Sequence, residues 1–249
     1  CGGMWESGLS VLKDKEKKDR ISSEQEENII SLETIERDGK LHELSEKYIK
    51  EVQLPADIVK IGSCAFYNCT KMERISVYPK LVEVGSDAFM NCLNLRSLRM
   101  CAGVEEPTGL KQLLAQIKWQ VEVSFEQEDG EREAVLMYPE YYESYDEIGP
   151  AHIFELNLTG EGFRARQCFK EGVILLNAYD EIFPQACVEE SAEGLIPMAW
   201  NRLYAACGLS PEARADYEEY VREQSGKVLT ILLKKRELKP LHFFFEKGY

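Results

Sequence analysis

The chain has 249 residues, 44% of them apolar and 10% aromatic, so it is long enough to bury one large core or two smaller ones. Its 44 acidic and 30 basic residues give a net charge of −14 at pH 7. This charge argues against nucleic acid or an anionic membrane as the main partner, because both bind basic surfaces. No segment approaches the roughly 20 consecutive apolar residues of a membrane-spanning helix, and no signal-peptide core is visible.

The N-terminal segment is dense in charge. Residues Lys13–Glu27 (KDKEKKDRISSEQEE) carry charges of both signs and only one large apolar side chain, so they cannot bury a face. We predict a solvated linker over residues 1–28, with a docking tail as the alternative. The chain begins at Cys1 rather than Met, from which we expect a processed form or a fragment. Further on, Asp38-Gly39 between short apolar flanks predicts a hairpin that covers the edge of the next structural unit.

An internal repeat is the strongest signal in the chain. Residues 54–77 (LPADIVKIGSCAFYNCTKMERISV) match residues 78–100 (YPKLVEVGSDAFMNCLNLRSLRM) at an offset of 23 positions. One short strand and one turn cannot bury their own apolar side, so such copies stack and share a core. The matched pairs include Gly62 with Gly85, Phe66 with Phe89, Asn68 with Asn91, and Cys69 with Cys92.

Each matched residue has a predicted structural role. Phe66 and Phe89 stack as an aromatic spine, and Gly62 and Gly85 permit the turn into the helical segment. The Asn and Cys pairs satisfy backbone groups inside the turn. None of the 8 cysteines forms a C-x-x-C pair, which favours reduced thiols that pack as small hydrophobic side chains. The alternative is a metal site made of Cys64, Cys69, Cys92 and Cys101.

The pattern I-G-x-x-A-F-x-x-C-x-x-L-x-x-I resembles the BspA-type leucine-rich repeats found in many bacterial proteins, over about Val52–Met100. The resemblance implies a short solenoid of parallel strands that recognises other proteins, and it implies no reaction. We expect the solenoid to end there, because Cys101-Ala102-Gly103-Val104 does not begin a third copy. The predicted unit of capping hairpin and repeats covers residues 29–104.

Strand alternation predicts which side chains of the repeats face a partner. If Ile75 and Val77 point inward, their neighbours in the strands point outward. This surface is small and mixed in charge, and about 10 Å of stacked strands cannot alone supply the roughly 800 Å² per partner of a standard interface. We therefore expect another part of the chain to contribute. The predicted partner-binding residues are Glu51, Gln53, Arg74, Ser76, Ser97 and Arg99.

Residues 105–166 are predicted to form a helix and a small antiparallel sheet. The apolar spacing of Leu110–Ile117 is typical of an amphipathic helix. Two alternating strands, Trp119–Phe125 and Ala134–Tyr138, flank the turn residues Asp129-Gly130, and a third strand covers Ile153–Leu158. We expect this sheet to pack beside the end of the solenoid.

An acidic loop with four tyrosines is predicted at Tyr138–Glu147. Exposed tyrosines bury a large area at little cost in rotamer entropy, which makes Tyr141, Tyr142 and Tyr145 candidate partner-binding residues. The alternatives are rings that pack back on the sheet, or a cation or carbohydrate site.

The segment Gly160–Ala165 formally fits the dinucleotide fingerprint G-x-G-x-x-A. The strand before it alternates instead of being apolar throughout, and no doubly wound sheet follows, so we do not predict a nucleotide site. Arg164 and Arg166 are cations in an acidic chain, and we expect them to form salt bridges or partner contacts.

Residues 167–249 are predicted to form a helical array. Ser210-Pro211-Glu212 is a good helix start, with an N-cap, a proline at the first position and an acid in the first turn. The last two helices loosely resemble an ankyrin-type pair. The end FFFEKGY exposes apolar side chains unless more chain covers them, so we expect the chain to be truncated there. The chain also looks like repeat proteins of anaerobic gut bacteria. The predicted helices are Phe169–Phe183, ended by Pro184, Ala192–Cys207, ended by Gly208, Ser210–Gln224, Val228–Lys234 and Leu238–Phe245.

The predicted fold class is α+β: a short leucine-rich repeat solenoid with a capping hairpin, a small antiparallel sheet and a C-terminal helical array. His42, His152 and His242 lie in different segments, and no nucleophile or phosphate-loop motif is present. We therefore expect no enzyme activity and no cofactor or metal. We predict a cytoplasmic scaffold that binds a protein partner, without nucleic acid or membrane insertion. The alternatives are a cell-surface or secreted adhesin and an enzyme of unknown class.

Overall fold

The computed structural model describes residues 49–127, 130–149 and 152–249. The linker predicted for residues 1–28 and the hairpin predicted around Asp38-Gly39 lie outside these residues. The first part of the fold contains β1 (Glu51–Gln53), β2 (Lys60–Ile61), β3 (Arg74–Val77), β4 (Glu83–Val84), β5 (Ser97–Met100), α1 (Leu110–Ala115), β6 (Val121–Glu126), β7 (Arg132–Tyr138), β8 (Tyr142–Ile148) and β9 (Ile153–Thr159). The second part contains α2 (Gly162–Ala165), β10 (Phe169–Lys170), β11 (Val173–Ile174), α3 (Leu176–Asp180), α4 (Phe183–Glu189), α5 (Ala192–Tyr204), α6 (Pro211–Glu223), α7 (Ser225–Lys235) and α8 (Leu238–Lys247).

The repeats form a solenoid of about three turns. Strands β1, β3, β5 and β6 pair in parallel in chain order, and β7 completes the sheet as the antiparallel neighbour of β6. The register places Val52 beside Ile75 and Ile75 beside Leu98, as the repeat offset predicts. A second parallel ladder joins β2 to β4 on another side of the coil. The predicted α+β class with a solenoid is confirmed.

The interior of the solenoid is a stack of equivalent apolar side chains. Ile75, Val77 and Leu98 are fully buried, which confirms the predicted inward face. The rings of Phe66 and Phe89 stack with their centroids 5.3 Å apart, so the aromatic spine is present. Each turn therefore buries the apolar side that a single copy would leave in water.

Asparagines form a second ladder at the corner of the coil. Asn68 and Asn91 have φ angles of 62° and 65°, a left-handed conformation that asparagine tolerates better than most residues. The Asn91 side-chain amide donates to Asn68 Oδ1 at 2.7 Å, and the Cys92 thiol donates to the Phe66 carbonyl at 2.9 Å. The Cys92 thiol thus satisfies a backbone carbonyl, as predicted, but one of the preceding turn, whereas the Asn91 amide bonds to the Asn68 side chain and not to the backbone.

The role predicted for the repeated glycines is wrong. Positive φ angles fall on residues such as Cys64 and Asp87, and not on Gly62 or Gly85. Gly85 is required for a different reason, because a Cβ there would lie 2.4 Å from the Ser63 backbone nitrogen in the preceding turn. At Gly62 a Cβ would meet nothing within 4 Å.

This difference yields a matched pair of variants. We expect Gly85→Ala to lower the free energy of unfolding by about 1–3 kcal/mol, because the two backbones must move apart. Gly62→Ala, at the equivalent position one turn earlier, should change it by no more than about 0.5 kcal/mol. Urea denaturation of both variants measures the difference, and equal losses would contradict the close approach.

The sequence predicted that the solenoid ends at Cys101, and this prediction is wrong. Strand β6 continues the sheet in parallel with β5, with Leu98 beside Val123 and Met100 beside Phe125. Helix α1 replaces the short turn segment of the earlier copies and buries Leu110 and Leu113 in the same core. The β6–β7 hairpin is therefore part of the solenoid sheet and does not lie in a separate one. The predicted boundary between the units 29–104 and 105–166 falls inside this sheet, because β5 lies before it and β6 after it. The division of the chain into units stays a prediction.

The acidic segment predicted as a loop is a strand. Tyr142–Ile148 pairs with Ile153–Thr159 in an antiparallel, two-stranded sheet, which we call the ribbon. Sequence reasoning missed β8 because acidic residues and a serine interrupt its apolar positions. Almost every residue of the ribbon is exposed, so the strand has no buried face that would appear in the sequence as alternating apolar residues.

The helical prediction is wrong at its start and correct further on. Phe169–Phe183 is not one helix, because Glu171 and Gly172 have φ angles of 52° and 83° and turn the chain into the hairpin β10–β11. Pro184 lies in the first turn of α4 and does not end a helix. Ser210 caps α6 as predicted, with its side chain accepting from the Ala213 backbone N–H at 3.1 Å. The ankyrin-like pairing of the last helices stays a prediction.

The C-terminal helices pack on the outer face of the solenoid sheet. Helix α5 covers β7, so that Val135 and Met137 are buried on the side away from the solenoid core. Tyr179 of α3 protects the edge of β7, accepting from the Met137 N–H at 3.1 Å and donating to the same residue's carbonyl. None of the helices among the described residues is both long and apolar enough to cross a membrane.

Candidate functional site: a groove between the repeats and the helices

A groove of about 870 Å³ lies where the C-terminal helices meet the outer face of the solenoid sheet. Its floor is formed by outward-facing side chains of the strands, and its wall by helices α5 and α7 and the start of α8. Floor residues include Glu51, Arg74, Ser97, Arg99, Glu122 and Glu126. Wall residues include Ile196, Trp200, Tyr204, Ile231, Lys235 and Pro240. We refer to this site as the groove.

Most of the predicted repeat surface lies in the groove. Glu51, Arg74, Ser76, Ser97 and Arg99 all line it. Ser76 faces the groove but is only 4% exposed, which corrects the expectation of an open side chain, because larger neighbours flank this short residue. Gln53 is exposed and does not line the groove; its amide donates to the Tyr78 hydroxyl at 3.1 Å.

Ion pairs organise the floor. Glu126 is nearly buried and accepts from two cations, Arg99 at 2.5 Å and Arg132 at 3.2 Å. Arg74 pairs with Glu51 at a longer distance of 3.6 Å, with both side chains largely exposed. The guanidinium of Arg96 donates to a backbone carbonyl, that of Gln120, at 3.2 Å. Arg74 and Arg96 are thus the cations best placed to meet a ligand.

The groove differs in charge from the rest of the molecule. Its lining contains Arg74, Arg96, Arg99, Arg132 and Lys235 against four glutamates, in a chain whose net charge is −14. An acidic protein with a local excess of cations directs carboxylate-bearing ligands to that place.

The wall is tied to the floor through Glu122. This β6 carboxylate accepts from Asn201 Nδ2 of α5 at 3.0 Å and from Lys235 Nζ of α7 at 3.3 Å. Trp200 stacks on Tyr204 and meets the rings of Phe243 and Phe244. Burial, together with nearby Glu237, raises the pKa of Tyr204. The wall is mostly apolar, and Asn201 and Lys235 link it to the polar floor opposite.

The three candidate tyrosines lie outside the groove and differ from one another. Tyr141 is 5% exposed, so its predicted role as an exposed contact is wrong: the ring packs edge-on against Phe163 and under the Arg166 guanidinium, 5.1 Å from the ring centre. Burial raises the pKa of Tyr141. Tyr142 and Tyr145 are 63% and 65% exposed on the ribbon, as predicted.

Arg164 and Arg166 also differ from each other in burial and in their contacts. Arg164 forms the expected salt bridge, to Glu161 at 2.8 Å. Arg166 is buried and instead donates to backbone carbonyls of Ile117, Trp119, Pro139 and Gly162. Burial lowers the pKa of Arg166 to about 10, so the guanidinium is still charged at neutral pH. A Cβ at Gly162 would lie 2.2 Å from the Pro139 carbonyl oxygen, so packing explains this glycine of the G-x-G-x-x-A match.

The described cysteines form no disulfide with one another, and they lie at several places in the fold. Cys69 and Cys92 are ladder positions inside the solenoid, and a hydrogen bond between them lowers the pKa of Cys92. Burial raises the pKa of Cys101 and, to about 11, that of Cys168. Within the described ranges, no three His, Cys, Asp or Glu side chains come together as a metal site would require.

Sequence reasoning missed Arg96, which precedes β5, and the groove residues that follow the second copy. The missed side chains on the sheet are those of β6 and β7, such as Glu122 and Glu126. The sequence did contain a signal for β6, because Val123 and Phe125 repeat the alternation of Leu98 and Met100. The offset between these pairs is 25 positions, whereas the first two copies are offset by 23. The wall carried no such signal, since nothing in a helix sequence says which sheet face it covers.

Comparison with known proteins adds one match. Residues 25–108 match the family model described as BspA type Leucine rich repeat region (6 copies). The repeats are BspA-type leucine-rich repeats. The match covers about a third of the chain and stops before β6, although β6 extends the leucine-rich repeat sheet by a further strand. The chain matches no curated protein and no solved structure.

The family match supports a coarse functional statement. Leucine-rich repeats are repeat-based protein-interaction modules and typically act as binding scaffolds without catalysis. In this chain the outward strand faces of the leucine-rich repeats form the floor of the groove.

Proposed function

We propose that this protein is a non-enzymatic scaffold that binds an extended segment of a partner protein in the groove. The observation that carries the proposal is the joint construction of the site: the repeat face, too small by itself, gains an apolar wall from α5 and α7. A volume of about 870 Å³ is at the upper end of small-ligand pockets, which suits several consecutive side chains better than a metabolite.

The lining indicates the chemistry of the bound segment. Carboxylates of the partner would meet Arg74 and Arg96 on the floor, and its apolar side chains would lie against Ile231 and Tyr204 on the wall, which are both partly exposed. Specificity would come from the charged floor, and affinity mostly from apolar burial against the wall.

The test is a double charge reversal in the full chain. We expect Arg74→Glu with Arg96→Glu to weaken partner capture about tenfold or more, because both cations become repulsive toward carboxylates. The matched control is Lys60→Glu with Lys80→Glu, which reverses two exposed lysines of the same repeats outside the groove. Quantitative pull-down followed by mass spectrometry compares the three proteins. Equal capture by all three, or equal loss in both variants, would remove the groove as the site.

We also propose that the protein works in the cytoplasm. The described cysteines form no disulfide with one another, and several of them are buried, which suits a reducing compartment. Fractionation of the source cells is the check, and recovery of the full-length protein at the cell surface would overturn this location.

A further inference from the structure

The ribbon is the most exposed regular element of the fold. Among the described residues, β8 and β9 pair with each other and with no third strand. The outer edge of each strand therefore presents backbone N–H and C=O groups that a further strand can bind.

One face of the ribbon carries apolar and acidic side chains together, because Phe154 and Leu158 of β9 lie opposite Glu147 and Glu143 of β8. Tyr145 lies opposite Leu156, and Phe154 and Leu158 lie on the same face because they occupy alternate positions of β9. Tyr145 is 65% and Phe154 64% exposed, and Leu156 is also exposed. An isolated two-stranded ribbon is marginally stable in water, whereas a third strand with an apolar face stabilises it.

The charged residues of the ribbon are acidic. Residues 142–159 contain Glu143, Asp146, Glu147 and Glu155 and neither lysine nor arginine. At the base, Lys118 donates to Glu143 at 2.6 Å, and this hydrogen bond raises the pKa of Lys118. The first three of these four carboxylates lie on β8.

We propose that the ribbon is a second docking surface, which binds an extended, basic segment of a partner protein as a third strand along the edge of β8. Backbone hydrogen bonds to β8 would supply affinity, and alternate apolar side chains of the segment would lie on the face of Tyr142 and Ile148, both of which are exposed. Its cations would meet Glu147 and Glu143, which lie on one face of β8, since opposite charges on neighbouring strands stabilise a sheet. This surface is separate from the groove and does not depend on it.

Charge decides between a basic partner and a second copy of this chain. Two ribbons placed edge to edge along β8 would bring Glu143, Asp146 and Glu147 of both copies together, and like charges on neighbouring strands are destabilising. Two copies of a chain with net charge −14 also repel each other over a longer range. The chemistry of the ribbon therefore favours a cationic partner strand.

The probe is a labelled synthetic peptide of alternating lysine and valine, titrated with the full chain and followed by fluorescence anisotropy. We expect binding that weakens with added salt, and protection of the β8 amides from hydrogen exchange. Asp146→Lys with Glu147→Lys should weaken binding about tenfold or more, and Ile148→Ser should weaken it as well. The groove variant Arg74→Glu with Arg96→Glu should bind the peptide like the unmodified chain.

Matched controls separate strand addition from simple attraction of a cation to an acidic protein. Glu219→Lys with Glu223→Lys makes the same change of charge on exposed positions of α6, and Val188→Ser removes an apolar side chain that is 79% exposed elsewhere. Both controls should bind as the unmodified chain does, and a peptide with its lysines and valines in separate blocks should bind weakly. Equal loss in both charge variants, equal binding of the block peptide, absence of binding, or self-association that Ile148→Ser abolishes would each overturn the proposal.

Discussion

Replacing Asp180 by asparagine is expected to lower the free energy of unfolding by about 3–5 kcal/mol. The Asp180 carboxylate accepts from Arg202 Nε at 2.7 Å and Nη2 at 2.8 Å, and from the Tyr217 hydroxyl at 2.9 Å. Both side chains of the ion pair are almost completely inaccessible to solvent. Burial by itself lowers the pKa of Arg202, but its hydrogen bonds to Asp180 outweigh that effect and raise it. In Asp180→Asn the guanidinium stays buried and charged without its carboxylate.

The site of this ion pair makes the prediction relevant to function. Asp180 ends α3, Arg202 belongs to α5 and Tyr217 to α6, so one carboxylate joins the helix that forms the groove wall to its two supports. Loss of the pair would loosen the wall as well as the fold.

Urea denaturation of Asp180→Asn and of a surface control tests this prediction. Glu218→Gln breaks the exposed pair with Arg222 and should cost no more than about 0.5 kcal/mol. The double variant Asp180→Leu with Arg202→Met should recover much of the loss, because it removes both buried charges. If Asp180→Asn were as stable as Glu218→Gln, the ion pair would not hold the helices.

Arg166→Met is expected to lower the free energy of unfolding by about 3 kcal/mol or more, since several buried carbonyls lose their donor at once. The guanidinium donates to Ile117, Trp119, Pro139 and Gly162 carbonyls at 2.6–3.0 Å. These carbonyls belong to the link before β6, the link between β7 and β8, and the start of α2. One side chain therefore joins the last solenoid turn to the ribbon and to the C-terminal half.

Arg166→Lys distinguishes charge from geometry. Lysine keeps the charge but lacks the planar fork that reaches several carbonyls, so we expect a loss smaller than that of methionine but still measurable. Arg222→Met, at an exposed arginine, should cost less than about 1 kcal/mol. Thermal and urea unfolding provide the measurement. A lysine variant as stable as the unmodified chain would show that the fork geometry is unimportant.

The regular copies made part of the candidate site predictable. Phe66 and Phe89, or Asn68 and Asn91, recur at one offset and contact each other in successive turns, so alignment of the copies predicts their contacts. Alternation around Ile75 likewise predicts that Arg74 faces outward, where it lines the groove. For these repeat residues, the local sequence pattern is enough to predict where the side chain lies in the folded protein.

Prediction failed where a distant contact decides the outcome. The third turn is longer than the others and uses α1 in place of the short turn, so its copy of the pattern is hidden, and only pairing with β5 identifies β6. Tyr141 is buried because Phe163 and Arg166 come to lie against it, although its sequence neighbours are polar and acidic.

The sequence by itself determined that this protein has a leucine-rich repeat solenoid, which side chains of each copy face inward, and that its surface is strongly acidic. These properties follow from periodicity and composition, which local sequence carries. Only the tertiary structure decided that the C-terminal helices cover the repeat face and convert it into a groove. That choice depends on contacts such as those of Asn201 and Lys235 with Glu122, which join residues far apart in the chain and leave no local periodic trace.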